Sequence, residues 1–254
     1  MISRYEVFLN GVSLGSVSPE ISIIDIQYPP ITIRNESYAL ARRQGAHVVR
    51  RYIESLSVVV VFEIHAYDIN ERQAILSHVV RWAQNGGALQ TNDRNGQMLK
   101  CICEQFPSVS SVRNWTDQLQ ITFSAHSLPF WQDVAPTRLT LSGTSGDDSV
   151  YIPGNVNGAF VEATITVNNA LTTLTLSAGD TEIQLSGLNV AAGETIVISY
   201  DDDMIQSIKS GNNSLLPYRS GNDDLIVDCG KIVPFEFSSD ADCSVEFRVR
   251  GLWL

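Results

Sequence analysis

Few residues of this 254-residue chain could do chemistry, and their spacing argues against catalysis. The four histidines, His47, His65, His78 and His126, are dispersed. None lies in a pattern with a serine or cysteine nucleophile and an orienting carboxylate, so each reads as a structural residue. The stretch "SGTSGDDS" is no nucleophile elbow, which needs Gly-x-Ser-x-Gly between a strand and a helix, and it reads as a hairpin loop. A phosphate-binding P-loop and a dinucleotide fingerprint are both missing. Carboxylates abound in the second half, but nothing pairs them across a cleft as a glycosidase would. The expectation is therefore no catalytic residue, no cofactor and no enzyme.

Cysteines and acids allow metal chemistry only weakly. Cys101 and Cys103 sit two apart on a predicted strand, roughly 6 to 7 Å from each other, which suits two thiols better than a mutual disulfide. Cys229 and Cys243 could meet across neighbouring strands, and their redox state stays open. No Cys-x-x-Cys pair completes a zinc set, so the expected metal count is zero. Asp201-Asp202-Asp203 at a strand end could offer oxygen ligands to Ca²⁺ or be a solvated acidic turn.

Two sets of residues point to binding. Arg34, Arg42, Arg43, Arg50 and Arg51 crowd a loop and the strand leaving it, where they either face solvent or pair with charge across a subunit contact. Of these, Arg42, Arg43, Arg50 and Arg51 are the candidate subunit-interface residues. Tyr151, Tyr200, Tyr218 and Trp253 could stack on the faces of sugars, although sandwich cores need aromatics too.

The elements that would carry these residues are mostly strands. One helix stands out near 69–84: Asp68 or Asn70 can cap it, and Gly86-Gly87 lies where a left-handed stop is wanted. Ile75, Val79, Trp82 and Ala83, with Leu76 and Val80 beside them, give it one broad apolar face. Before it, "RRYIESLSVVVVFEIHAY" reads as a strand pair or one long strand. After it comes strand, turn and strand, the turn carried by Asn92, Asp93, Asn95 and Gly96. Leu119, Ile121 and Phe123 then alternate with polar residues, and Asn10-Gly11 predicts an N-terminal hairpin. The second half is all-β by pattern, with Val161, Ala163, Ile165 and Val167 inward, then Leu174 and Leu176, Ile183 and Leu185, and Ile196 and Ile198.

Length suits two domains, 1–133 and 134–254, divided near "LPFWQDVAPTRL", where prolines interrupt the strand pattern. Charge divides with them. The first carries 11 basic and 12 acidic residues and the second 6 and 16, so nearly all of the net −11 belongs to the second. Such a surface is unsuited to gripping DNA, which needs Lys and Arg to displace counterions. No apolar run approaches the roughly 20 residues of a membrane span, and "MISRYEVFLNGVSLG" lacks the apolar core of a signal peptide.

The order Arg50-Arg51-x-Ile53, long strand, helix, Leu89-x-x-x-Asp93, two strands and Pro129-Phe130-Trp131 resembles the N-terminal domain of the distal tail proteins of long-tailed phages, the Dit family. The likeness continues through "VEATITVNNALTTLTLSAGD" to the closing "VEFRVRGLWL", similar to that family's second domain. A Pro-Gly-x-Asn turn before the final strands is replaced by Asp228-Cys229-Gly230.

The resemblance implies a mainly β chain: a tail-tube-like belt domain of sheet with one packed helix, then a galectin-like β-sandwich. It implies a homo-hexameric ring, single or stacked, that joins the tail-tube protein to the tip or baseplate hub. The central channel would pass DNA without binding it specifically, and the second domains would offer docking points for receptor-binding proteins or fibres. The setting would be the virion tail tip, assembled in the host cytoplasm, with no membrane partner. The competing reading is a carbohydrate-binding, lectin-like module of a tail or cell surface.

Overall fold

A computed structural model describes residues 5–39, 46–107, 118–221 and 224–254, with the side chains at 38–39, 46–48 and 51 outside the described set. The chain is mainly β and divides into two compact units, Met1–Trp131 and Gln132–Leu254. Its one α-helix among the described residues belongs to the first unit, and no helix is long and apolar enough to cross a membrane.

In the first unit β1 (Val7–Leu9) and β2 (Val12–Ser13) form the hairpin, followed by β3 (Ile21–Gln27), β4 (Thr32–Ala39) and β5 (Ala46–Ile64). Helix α1 (Ile69–Ala83), β6 (Gly87–Thr91), β7 (Gln97–Gln105) and β8 (Leu119–Ala125) complete it, and β9 (Trp131–Asp133) lies at the boundary. The sheet runs β2-β1-β6-β7-β8-β5-β3. Asn10 and Gly11 both have positive φ, 53° and 79°, as a two-residue turn matching strand twist requires. The Asn10 amide also reaches beyond its own hairpin, donating to the Gly86 carbonyl (3.0 Å) and accepting from the Ala88 N–H (2.9 Å). A Cβ on Gly87 would stand 2.1 Å from the Asn10 Oδ1, so only glycine fits there.

Asp68 caps α1: its Oδ1 accepts from the N–H groups of Asn70 and Glu71, both at 2.8 Å, while Glu71 reaches back to the Tyr67 N–H. The last helical turn closes at Gln84 in right-handed geometry, and the left-handed residue follows at Gly86, φ 60°. Ile75, Val79 and Ala83 are buried. Trp82 fixes the helix on the sheet, its ring edge-on to Phe123 at 6.0 Å and its indole N–H donating to the Val12 carbonyl at 3.0 Å. Across the sheet, Val58, Val60 and Phe62 on β5 face Phe123, Ile121 and Leu119 on β8, all buried. That shared side is the core.

Only the second half of β5 belongs to this body. Leu56–Phe62 pair with β8 and Val59–Ile64 with β3, whereas Ala46–Ser55 pair with β4. Strand β5 therefore runs beyond the sheet as one side of a two-stranded arm.

The second unit comprises β10 (Thr137–Ile152), β11 (Asn157–Val167), β12 (Leu171–Ala178), β13 (Thr181–Val190), β14 (Thr195–Tyr200) and β15 (Gln206–Ser210). Short strands β16 (Asn213–Ser214), β17 (Arg219–Ser220) and β18 (Ile226–Asp228) lead to the 19-residue β19 (Lys231–Val249) and β20 (Leu252–Trp253). The path is β16-β15-β14-β11-β19-β12-β13-β17. Strand β19 joins its two ends: Cys243–Val249 pair with β11, and Phe235–Ser239 with β12. Phe235 and Phe247 are both buried, with ring centroids 5.1 Å apart. A straight strand would hold them about 40 Å apart, so β19 folds over and its halves face each other across a sandwich core.

The hairpin loop expected over "SGTSGDDS" is not formed. Residues 142–149 lie within β10, which pairs with β19 along nearly its whole length and breaks register between Gly143 and Ser145. The glycines and serines of that stretch make a bulge, not a loop, because β10 must follow the bend in its neighbour. Ser239 fastens the two, donating to the Thr144 carbonyl at 3.2 Å.

Asp240 holds the bend. Its carboxylate accepts from the Thr172 hydroxyl and from the N–H groups of Thr172 (3.1 Å) and Thr173 (3.0 Å) at the start of β12. These donors, the Thr172 hydroxyl first, lower its pKa to about 2. The folded pKa lies below the unfolded value, so the stabilisation is complete above that unfolded value and disappears as pH falls towards about 2. Asp240→Ala is expected to lower the urea midpoint at pH 6, with the gap from the parent closing between pH 4 and pH 2. A gap that stays constant over that range would show that the carboxylate is not the bend's fastening.

Candidate interaction surfaces

The arm carries the arginine set. Arg42 and Arg43 lie outside the described residues, and so does the Arg51 side chain, whose backbone pairs opposite Asn35. Arg50 is exposed opposite Glu36, and Arg34, opposite Tyr52, makes a 3.1 Å ion pair with Glu54. Both partners are well exposed, so this pair adds little stability and chiefly sets the charge pattern. Successive residues of a strand point to opposite faces. One face of the arm therefore shows Arg34, Glu36, Arg50, Tyr52 and Glu54, and the other shows Ile33 opposite Ile53. Register breaks between Glu36 and Ser37 leave Val49 as the extra residue on β5. Ile33, Val49 and Tyr52 are 44%, 63% and 37% exposed. No strand other than β5 pairs with β4 among the described residues, so the arm has an open edge as well as open faces.

The four aromatics of the second unit sit on four different elements, and none of the four rings packs on another. Tyr151 is exposed on β10 opposite the exposed Ile232. Tyr218 is exposed on a short 3₁₀ turn, Leu216–Tyr218. Tyr200 is committed internally: its ring lies 4.7 Å from Phe160, and its hydroxyl accepts from the Gln206 amide (2.9 Å) and the Leu225 N–H (3.1 Å). Burial raises its pKa to about 12. Trp253 is half-buried and donates from its indole N–H to Asp133 at 2.9 Å.

Acids and thiols are held structurally. Asp201 accepts from the N–H groups of Asp203 (3.0 Å) and Ile205 (2.9 Å), shaping the turn between β14 and β15. Among the described residues no group of three or more His, Cys, Asp or Glu could hold a metal ion. All four cysteines are free thiols, and burial pushes Cys101 up to about 12, away from the reactive thiolate. His126 meets Glu104 at 2.9 Å on the surface, and His78 is exposed on α1; the His47 side chain is outside the described set.

One cluster in the first unit was not apparent from the residue pattern. Tyr28, between β3 and β4, donates its hydroxyl to the Asp93 carboxylate, 2.7 and 2.8 Å from the two oxygens, and lies 3.2 Å from the Thr91 hydroxyl. Its ring meets the buried Trp131 edge-on at 6.1 Å. The Arg94 guanidinium stands over both rings, 5.1 Å from the Tyr28 centroid and 5.0 Å from that of Trp131. Burial pushes the Tyr28 phenol well above its ordinary value, so it stays a donor. Asp93 and Trp131 stand out in the sequence separately, but Tyr28, which links them, has no local signal. The cluster closes the unit where the chain leaves it.

No model of a protein family matches this chain, and no curated protein sequence matches it. Among solved structures it is similar to the Dit protein of phage SPP1, described as a paradigm of the hub adsorption apparatus in phages infecting Gram-positive hosts. That match has a TM-score of 0.69 and 9% identity, covering 97% of this chain and 98% of that one. It is also similar to a chain of the phage P2 baseplate in its activated, calcium-containing conformation, at TM-score 0.50 and 12% identity over 99% and 98% of the two chains. The likeness at these identities is one of fold, and it extends along nearly the whole length of this chain.

Replacing Tyr28 by Phe removes both links to Asp93 while keeping the ring contacts. It is expected to cost about 1 kcal/mol in urea unfolding, since partial exposure lets water reclaim the carboxylate. An unchanged midpoint would show that the bond contributes nothing net.

Proposed function

We propose that this protein is a structural component of a phage tail tip, a distal tail protein whose copies form a ring between the tail tube and the tip or baseplate hub. The observation that carries the reading is the Dit-like fold, matched over 97% of this chain and 98% of the SPP1 protein. The fold alone would allow other roles, and two features of this chain favour assembly. An arm with open faces and an open edge extends from the first unit, and the residues of the sequence divide into a nearly neutral first half and a strongly acidic second half.

The ring would have six members and an open centre, and identical head-to-tail contacts about one axis are what closes it. Its two faces would meet the tail-tube protein and the hub protein. The second domains would serve as docking points for fibres or receptor-binding proteins. DNA would traverse the centre without specific contacts, and a chain with net charge −11 offers little to retain a polyanion. The protein acts as an adaptor in this reading and turns over no substrate. For the lectin-like alternative, the four aromatics sit on four different elements, and Tyr200 is already engaged by Phe160, Gln206 and Leu225.

Light scattering of the purified protein at micromolar concentration is expected to give a mass of about six chains. Arg50→Glu with Arg51→Glu should weaken that assembly while leaving the circular dichroism and melting of the monomer unchanged. A monomer that shows saturable glycan binding would favour the lectin-like alternative. Intact rings from the double variant would remove those arginines from the contact.

A further inference from the structure

Strand β10 is an open edge of the second unit. It pairs with β19 and with no other strand among the described residues. Its neighbour fixes where its backbone groups point. Ser149 lies opposite Pro234, which has no N–H and whose carbonyl accepts from the Gly179 N–H (2.9 Å) at the end of β12. A residue in an antiparallel sheet turns both backbone groups to the same side, so Pro234 faces β12 and Ser149 faces away from β19. Register is continuous from Ser145 to Ile152, and alternation gives Asp147 and Tyr151 the same outward direction. Asp148 guards the middle of this edge, its carboxylate accepting from the Ser149 N–H at 2.7 Å.

The side chains of Asp147, Ser149 and Tyr151 stand on one face, and all three are exposed. Tyr151 and Ile232, directly opposite each other, are 57% and 68% exposed, and the exposed Pro234 follows on β19. Further along the same two strands Asp147 lies opposite Glu236, Glu236 opposite Ser177, and Ser177 opposite Glu182. Like charges directly across a ladder destabilise it. No lysine or arginine lies on β12, on β13 or at 145–152 of β10, and Lys231 is bonded to Asp228 at 2.9 Å. An open edge, an exposed apolar pair and an acidic row without its own cation therefore share one strand pair.

We infer that β10 takes up an extended, basic segment of another polypeptide as an added strand along Asp147 to Tyr151. The backbone groups of Asp147 and Tyr151 supply the ladder. A lysine or arginine of the segment faces Asp147 and Glu236, and an apolar residue two side-chain repeats along covers Tyr151 and Ile232. A basic residue also competes for the Asp148 carboxylate and so frees the Ser149 N–H to join the ladder. The same acids repel a second copy of this strand, so the edge discriminates against its own kind. The inference concerns the second unit alone: it gives a mode of docking to the role proposed above, yet it requires no ring.

A short fluorescent peptide tests it on the full-length protein. The peptide alternates valine and threonine, with lysine replacing threonine in one half and isoleucine replacing it in the other. Anisotropy is expected to show saturable binding. Replacing the lysines by glutamate should abolish it, and so should methylating alternate peptide nitrogens, which removes donors and keeps side chains. Asp147→Lys with Glu236→Lys, at two exposed positions, should raise the Kd at least about tenfold while the melting transition stays close to the parent's. Failure of the lysine peptide to bind overturns the inference, as does binding that survives methylation or the double substitution.

Amide hydrogen exchange in the parent protein gives a second readout that depends on no variant. Exchange at Asp147 and Tyr151 is expected to slow when the lysine peptide is added. Unchanged exchange there overturns the inference. Protection that rises with protein concentration alone would make a second copy the occupant and overturn it too. Both experiments read the edge whatever the mass of the particle: a failed edge leaves the proposed ring standing, and a solitary chain that binds the peptide leaves the edge standing.

Discussion

A β-strand that outruns its sheet must still satisfy its backbone and cover its side chains, and β5 does so in two different ways. Its second half is gripped on both sides by β3 and β8 and buries Val58, Val60 and Phe62 completely. Its first half pairs with β4 alone among the described residues, and Val49, Arg50, Tyr52 and Glu54 on it are exposed. Because both halves are one continuous strand, the rigid core sets the direction of the arm.

The second unit meets the same constraint by folding the strand back. Strand β19 is as long as β5, yet it bends near Asp240 and packs Phe235 on Phe247, so one strand contributes to both sides of the sandwich. Its neighbour β10 follows through a bulge at Gly143 to Ser145. Polar contacts concentrate where that geometry is least regular: Asp240 on Thr172 and Thr173, Ser239 on Thr144, and Asn168 on Asp242. Asp240 and Ser239 take backbone groups of β12 and β10 as partners, while Asn168 and Asp242 join side chain to side chain.

Local features were readable in the residues and non-local ones were not. The helix was legible because capping and the 3.6-residue period are local: Asp68 at its start and Ile75, Val79 and Ala83 inward agree with the structure. The Asn10-Gly11 turn and the alternation along β8 and β11 were legible for the same reason. The loop assigned to "SGTSGDDS" failed because glycine and serine mark a bulge as readily as a turn, and only the bend in β19 decides between them. Pairing of β4 with the first half of β5 carries no signal beyond β-branched composition. The cluster of Tyr28, Asp93, Arg94 and Trp131 gathers side chains up to about a hundred residues apart. Of the candidate interface residues, Arg50 is found exposed on the arm, while Arg42 and Arg43 lie outside the described residues.

The open edge of the β4–β5 arm and its arginines are the features on which the proposed assembly stands. Electron microscopy of the purified protein by negative stain is the most direct measurement of that claim. Annular particles with an open centre, built of identical subunits, are expected. Fields of single, unassociated subunits at every concentration tried would contradict it.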